Sequence, residues 1–319
     1  MTGSTEFGDV IVSLRRELLA YCYRMVGSFD EAEDLVQETY LRAWRAYGDF
    51  EGRASVRTWL YRIATNVCLT AIGRRGRRAL PSGLGAPSTD PDVPLLAGGE
   101  VAWLQPYPDR LVGAAPDDPA AVAASRAGIR LAFVAALQYL APRPRAVLIL
   151  RDVLRWPASD VADLLGMTPT AVHSALRRAR ADLARSAPVP EELVEPTEVE
   201  RRAVVERFAA AIERADAAAV AELLRADAVL EMPPLLTRFA GRDAVARFVD
   251  VNLLVEPGRL RTVHTYANGQ DALAVYQRGA DGTDRAHAII VLTVTRTVVA
   301  RMVVFQDPGL FTAFGLPAG

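Results

Sequence analysis

Eight prolines, Pro81, Pro87, Pro91, Pro94, Pro106, Pro108, Pro116 and Pro119, fall between residues 81 and 119 together with several glycines. Proline fixes φ and offers no backbone N–H, so neither a long helix nor a central strand passes through such a stretch. A second interruption, "APVPEELVEP", follows at 187–196. Between these breaks the periodicity is regular. Residues 7–78 lack proline and place apolar side chains at three- and four-residue spacing, which predicts helices, and the same spacing returns over 125–186. From about 197 the pattern changes. Two helices over 198–225 precede "AVLEMPP", a helix near "GRDAVARFVDVNLL", and the alternating runs "LRTVHTYA", "DALAVYQRG", "RAHAIIVLTVTR" and "TVVARMVVFQD". Asn268-Gly269 and Asp281-Gly282 between these runs are hairpin signals, so the last third predicts an α+β domain on an antiparallel sheet.

With 51% apolar and 24% charged residues, the chain has globular composition and material for more than one core. No apolar run approaches the ~20 residues that span a bilayer, and the N-terminus has no apolar signal core, so a cytoplasmic protein without a membrane partner is expected. Cys22 and Cys68 lie in apolar helical patterns without metal-ligand spacing, which predicts buried free thiols, no metal and no cofactor. The net charge is −1, from 37 basic residues (all arginine) against 38 acidic ones, yet the two signs are segregated. Residues 6–51 hold 5 arginines and 10 acids, whereas residues 53–78 hold seven arginines and no acid. Residues 79–125 hold one arginine and six acids. Blocks of opposite sign point to at least two different partners.

The stretch "ASDVADLLGMTPTAVHSALRRARADLAR" (158–185) predicts two short helices joined by a tight turn. Ser159 is a candidate cap for the first, and Gly166 suits the left-handed turn. Thr168 followed by Pro169 is a strong start for the second. In that second helix Val172, Ala175, Leu176, Ala179 and Leu183 share one face, which leaves Thr170, His173, Ser174, Arg177, Arg178 and Arg180 outward. Hydroxyl, imidazole and guanidinium groups near a helix N-terminus suit a major groove. A solvated basic helix is the alternative.

A second basic element, "RASVRTWLYRIATNVCLTAIGRRGRR" (53–78), interleaves arginines with Trp59, Tyr61 and Asn66. Arginine neutralises phosphate and aromatic faces stack on unpaired bases, so this composition fits opened DNA. Before it, "SFDEAEDLVQETYLRAWRAY" (28–47) begins with a candidate capping box, Ser28 and Glu31, and carries a carboxylate-rich face that DNA would repel. A protein partner with a basic surface fits that face.

"DEAEDLVQETYLRAW", then "RTWLYRIATNVCL", then a helix-turn-helix ending "LRRARADL" resembles the extracytoplasmic-function (ECF) group of bacterial RNA polymerase sigma factors, in the sigma-70 family. The linker "VAWLQPYPD" and the last third resemble the subgroup with a SnoaL-like (NTF2-like) extension. The resemblance implies a multidomain chain of two all-α domains followed by an α+β cone. These are a sigma region 2 bundle over 7–80, an acidic linker over 81–125, a region 4 helix-turn-helix over 126–187, a short linker over 188–197, and a SnoaL-like domain over 198–319.

It also implies roles. Asp30, Glu33, Asp34, Gln37, Glu38, Leu41 and Trp44 would dock on core RNA polymerase. Ser55, Val56 and Asn66 would lie near a flipped base of the downstream promoter element, with Arg53, Arg57, Arg62, Arg74 and Arg75 on phosphates. Thr168, Thr170, His173, Ser174, Arg177, Arg178 and Arg180 would read the upstream element. The linker would thread the polymerase cleft and RNA exit path. His173, Ser174 and Ala175 stand where many relatives carry basic residues flanking the serine, so the upstream sequence preference does not transfer. Thr70 likewise stands where an acid is common.

In the last third, Glu231, His264, Tyr276, His287 and Asp307 are candidate inward polar groups of a pocket. A carboxylate beside a histidine in an apolar cavity serves as a general base, yet lone titratable residues are more often structural. The sequence therefore predicts no catalytic residue. A pocket for a small ligand, or an interdomain clamp, is expected instead, with regulation in cis. The competing function is a helix-turn-helix regulator with a ligand-binding domain that binds duplex DNA without polymerase.

Overall fold

The structure is a computed structural model that describes the chain apart from Met1, Arg53, Pro91, residues 113–127, 187–195, 253–255 and Arg296. It forms two compact units. The first joins Met1–Arg78 to Leu111–Val189, and the second joins Ala79–Arg110 to Pro190–Gly319.

In the first unit α1 (Thr2–Val26), α2 (Phe29–Ala46) and α3 (Val56–Arg75) pack as a bundle. Leu18, Tyr21, Met25, Val36, Leu60 and Val67 are buried in it, as are the free thiols of Cys22 and Cys68. Ser28 caps α2 by accepting from the Glu31 N–H at 3.2 Å. The Glu31 carboxylate takes Arg78 at 2.8 Å, a tie across the bundle that the capping-box expectation did not contain. Then come α4 (Leu131–Leu137), α5 (Pro142–Leu148), a π-helical turn (Ile149–Val153), α6 (Ala158–Leu165) and α7 (Pro169–Ser186). The cap expected at Ser159 is displaced: α6 starts at Ala158 after Pro157, and the Ser159 hydroxyl donates to Asp160 at 3.0 Å.

The two helical regions, expected as separate domains, share this unit because buried cations join them. Arg145, 2% exposed, donates to Gln138 Oε1 at 2.7 Å, to the Gln138 and Leu140 carbonyls at 3.1 and 3.0 Å, and to the Met25 carbonyl at the end of α1. Burial pulls its pKa down to about 10. Arg24 donates in the other direction, from α1 to the Gly128 carbonyl at 2.8 Å.

In the second unit α8 (Glu198–Glu213) begins with a full capping box between Thr197 and Glu200, and α9 (Ala217–Glu222) follows. The six strands are β1 (Leu224–Glu231), β2 (Arg238–Ala240), β3 (Leu260–Ala267), β4 (Gln270–Arg278), β5 (Asp284–Val294) and β6 (Val299–Phe305), in the order β2-β1-β6-β5-β4-β3. α10 (Arg242–Asn252) and α11 (Leu310–Phe314) complete the unit. Four pairings are antiparallel, but β1 and β6 run parallel, which corrects the all-antiparallel expectation: β6 returns beside the first strand after the β3–β5 meander. Asn268 and Gly269 both hold left-handed φ, 57° and 68°, as a two-residue hairpin demands. Phe208, Leu230, Phe239, Phe248, Leu273 and Met302 belong to the core between helices and sheet.

The proline-rich segment is part of this second unit. Ser88 donates its N–H to the Arg238 carbonyl at 2.8 Å and accepts the Ala240 N–H at 3.1 Å, extending the sheet beyond β2. The Leu96 carbonyl accepts from the Leu236 N–H at 2.7 Å, and Val93 packs against the core. Ala79 and Leu104 close the segment on itself, through Ala79 N to the Ala102 carbonyl and Leu104 N to the Ala79 carbonyl, both 2.9 Å. At the other end, the Tyr107 N–H donates to Asn268 Oδ1 at 2.8 Å and its carbonyl accepts the Asn268 N–H at 2.9 Å. Asp109 accepts the Gly269 N–H at 2.8 Å.

Candidate nucleic-acid interface

The helix-turn-helix forms as the sequence predicts. Gly166 ends α6 in the left-handed conformation at φ 63°, and Thr168 Oγ1 accepts the Ala171 N–H at 3.2 Å to start α7. Val172, Ala175, Leu176 and Ala179 are buried, which holds Thr168, Thr170, His173, Arg177, Arg178 and Arg180 exposed and Ser174 half-buried. Arg177 and Arg178 meet no carboxylate among the described residues. Arg180 differs: Asp152 holds it through a two-pronged pair at 2.8 and 2.6 Å, and this hydrogen bonding raises its pKa.

In α3 the Ser55 hydroxyl caps the helix by accepting the Thr58 N–H at 3.1 Å. Ser55, Arg62, Asn66 and Arg74 are exposed, and Val56 is half-buried. Arg53 lies outside the described residues, as does the side chain of Arg75. Arg57 is not a free phosphate contact in this arrangement. It pairs with Glu17, Nε to Oε1 at 3.0 Å, while Tyr61 donates to the same carboxylate at 2.8 Å. Its guanidinium also lies 4.9 Å from the Trp156 ring centroid, just before α6. Arg62 donates to the Asp163 carbonyl of α6 at 3.3 Å. Two of the arginines expected on the downstream element thus touch the region expected to read the upstream one.

On α2, Asp30, Asp34, Gln37, Leu41 and Trp44 form one exposed face at helical spacing, with Glu33 and Glu38 half-buried beside it. Leu41 is 54% and Trp44 58% exposed. Glu33 pairs with Arg15 and Glu38 with Arg42, each at 2.7 Å.

The second unit holds a cavity of about 230 Å³ between α8, α10 and the sheet. Of the expected pocket residues only His287 lines it, and the others are corrected. Glu231 is buried beneath the proline-rich segment, accepting the Ser82 N–H at 2.7 Å with Arg301 at 3.3 Å. His264 is tied to Asp271 at 2.9 Å, which Arg201 of α8 also meets at 2.6 Å. The Tyr276 hydroxyl donates to the Pro317 carbonyl at 3.1 Å, with Arg261 over its ring. Asp307 accepts the Gly309 N–H at 2.9 Å in a tight turn. Strand alternation explains Glu231 and Tyr276, each adjacent to a lining residue and therefore on the opposite face; His264 shares the face of Val275 but is tied to Asp271, and Asp307 follows the end of β6. Arg259, Gln277 and Gln306, which do line the cavity, were not nominated. No motif marks them.

Among the described residues, no helix is long and apolar enough to cross a membrane. Family models match in three places: Sigma-70 region 2 over residues 10–78, Sigma-70, region 4 over 130–183, and a SnoaL-like domain over 205–307. The chain is 47% identical over 305 residues to the ECF RNA polymerase sigma factor SigG of Mycobacterium tuberculosis strain H37Rv, covering 95% of this chain and 82% of that protein. It is 28% identical over 312 residues to ECF RNA polymerase sigma factor SigJ of the same strain, covering 94% and 91% of the two chains. The crystal structure of Mycobacterium tuberculosis SigJ shares the fold, with a TM-score of 0.61 at 23% identity over 96% of this chain and 98% of that one. Region 2, region 4 and a SnoaL-like domain in that order, with such identity along nearly the whole length, place this chain in the ECF family of RNA polymerase sigma factors.

Proposed function

We propose that this chain joins core RNA polymerase as its promoter-specificity subunit, and that its C-terminal domain restrains it in cis by holding the linker between regions 2 and 4. The exposed acidic and apolar face of α2 suits a basic protein surface, and α7 offers Arg177 and Arg178 to a DNA groove. The observation that carries the restraint is the mooring of residues 79–110, by Glu231 and the β2 edge at one end and by Asn268 and Gly269 at the other. A segment so held is not free to enter a polymerase channel. No chemistry is assigned to the C-terminal domain: its cavity is lined by one histidine and no carboxylate.

The test is run-off transcription with core polymerase and candidate promoters, comparing the wild-type chain with an Asn268→Gly, Asp109→Ala variant. Glycine tolerates the left-handed φ at 268, so the turn survives while two hydrogen bonds of the mooring at that turn are lost. More product from the variant at equal concentration supports the restraint, and equal or reduced product refutes it. Absence of promoter-specific product from both chains refutes the sigma reading itself.

A further inference from the structure

We propose that the cavity of the C-terminal domain binds a compact apolar monocarboxylate, with its hydrocarbon part against the core and its carboxylate on Arg259. The assignment deepens the regulatory reading of this domain and rests on it for its physiological meaning.

Five observations support it. The floor is apolar, formed by Phe208, Ile212, Leu230, Val275, Ile290 and Met302. The polar groups, Asn252, Arg259, Gln277, His287 and Gln306, are all half-buried or exposed, which marks the mouth. A dry cavity of about 150 Å³ takes benzene, so about 230 Å³ takes roughly nine non-hydrogen atoms.

The charge at the mouth has one sign. Arg259 is the sole charged side chain among the lining residues, and it meets no carboxylate among the described residues. With the Gln277 amide turned so that its oxygen faces Arg259, that oxygen accepts from Nε and Nη2 at 3.1 Å each, which fixes the guanidinium without neutralising it.

The backbone is also shaped for this site. Val275 pairs with Ala288 and Tyr276 with Ala286, so His287 is the extra residue of a β-bulge. In a regular strand His287 would point away from Ala288; here both line the cavity. Bulges are over-represented where a side chain is re-aimed at a site. Burial lowers the His287 pKa, so near neutral pH the ring is uncharged and supplies one donor and one acceptor. An apolar acid thus finds a greasy floor, one cation and a neutral hydrogen-bonding ring.

The experiment is calorimetric titration of the full chain with octanoate, octanol and octylamine, without polymerase, so that its failure is separable from failure of the transcription reading. Saturable one-to-one binding of octanoate, about tenfold tighter than octanol and with octylamine silent, supports the proposal. Arg259→Gln, at the exposed mouth, should erase the advantage of octanoate while leaving octanol binding intact. Ala288→Leu, which fills the floor, should abolish both, with circular dichroism reporting the fold. Equal binding of the three probes, no octanoate binding, or octanoate binding unchanged by Arg259→Gln each overturns it.

Discussion

Arg57 stacks on Trp156, its guanidinium carbon 4.9 Å from the ring centroid, and the same indole lies 4.8 Å from the Tyr61 ring. One arginine of α3, in region 2, is therefore occupied by an aromatic residue of region 4. The Glu17 pair completes a four-residue cluster in which each member fixes the next.

Trp156 is buried, so Trp156→Ala should destabilise the first unit by about 3 kcal/mol through lost packing. Arg57→Ala removes a half-exposed cation and should cost about 1 kcal/mol. Because the two touch, the double variant should lose less than the sum of the single losses, as measured in a double-mutant cycle of denaturant melts. Strict additivity would deny the contact.

Gly98 has no room for a side chain: a Cβ there would sit 2.1 Å from Trp103 Cζ2 and 2.8 Å from the Pro234 carbonyl. Gly98→Ala should loosen the proline-rich segment at a cost of about 1–3 kcal/mol. Limited proteolysis should then cut within residues 79–110 well before it cuts the sheet.

His287 makes the second unit sensitive to acid. Its folded pKa lies below the ordinary 6.5, so between the two values the unfolded chain binds more protons and stability rises with pH. The contribution is fully present above pH 6.5 and is lost as pH falls through the folded pKa. Referenced to their values above pH 6.5, where the two curves should run parallel, the melting temperature of wild type should fall below that of His287→Gln as pH drops through the folded pKa; curves that stay parallel into acid would contradict this.

Arg177→Ala and Arg178→Ala should each weaken promoter binding by about 1–3 kcal/mol while leaving polymerase association unchanged. Trp44→Ala should do the reverse, costing about 2 kcal/mol in binding to core polymerase. Gel shifts of the holoenzyme and pull-down of core separate the two losses.

The sequence made local features legible because they rest on local chemistry. Gly166, Thr168 and Pro169 mark the turn of the helix-turn-helix within four residues, and Asn268-Gly269 marks a hairpin by its φ preference alone. What escaped depends on partners distant in the chain. Nothing near Arg145 announces that the end of α1 will supply one of its acceptors, and nothing near Arg57 announces Trp156. His287 faces the cavity through a single extra residue in β5, which the alternation of "RAHAIIV" does not record, whereas Glu231 and Tyr276 each neighbour a lining residue, Leu230 and Val275, and so fall on the opposite face of their strands.

The two moorings of the proline-rich segment sit at opposite margins of the six-stranded sheet, one beside β2 and the other at the β3–β4 turn. A strap buckled on both sides cannot be thrown off in one swing. It unfastens in stages, and a chain with a single buckle undone is a distinct species. Under the proposed restraint, release of the segment is graded, like a dimmer rather than a toggle.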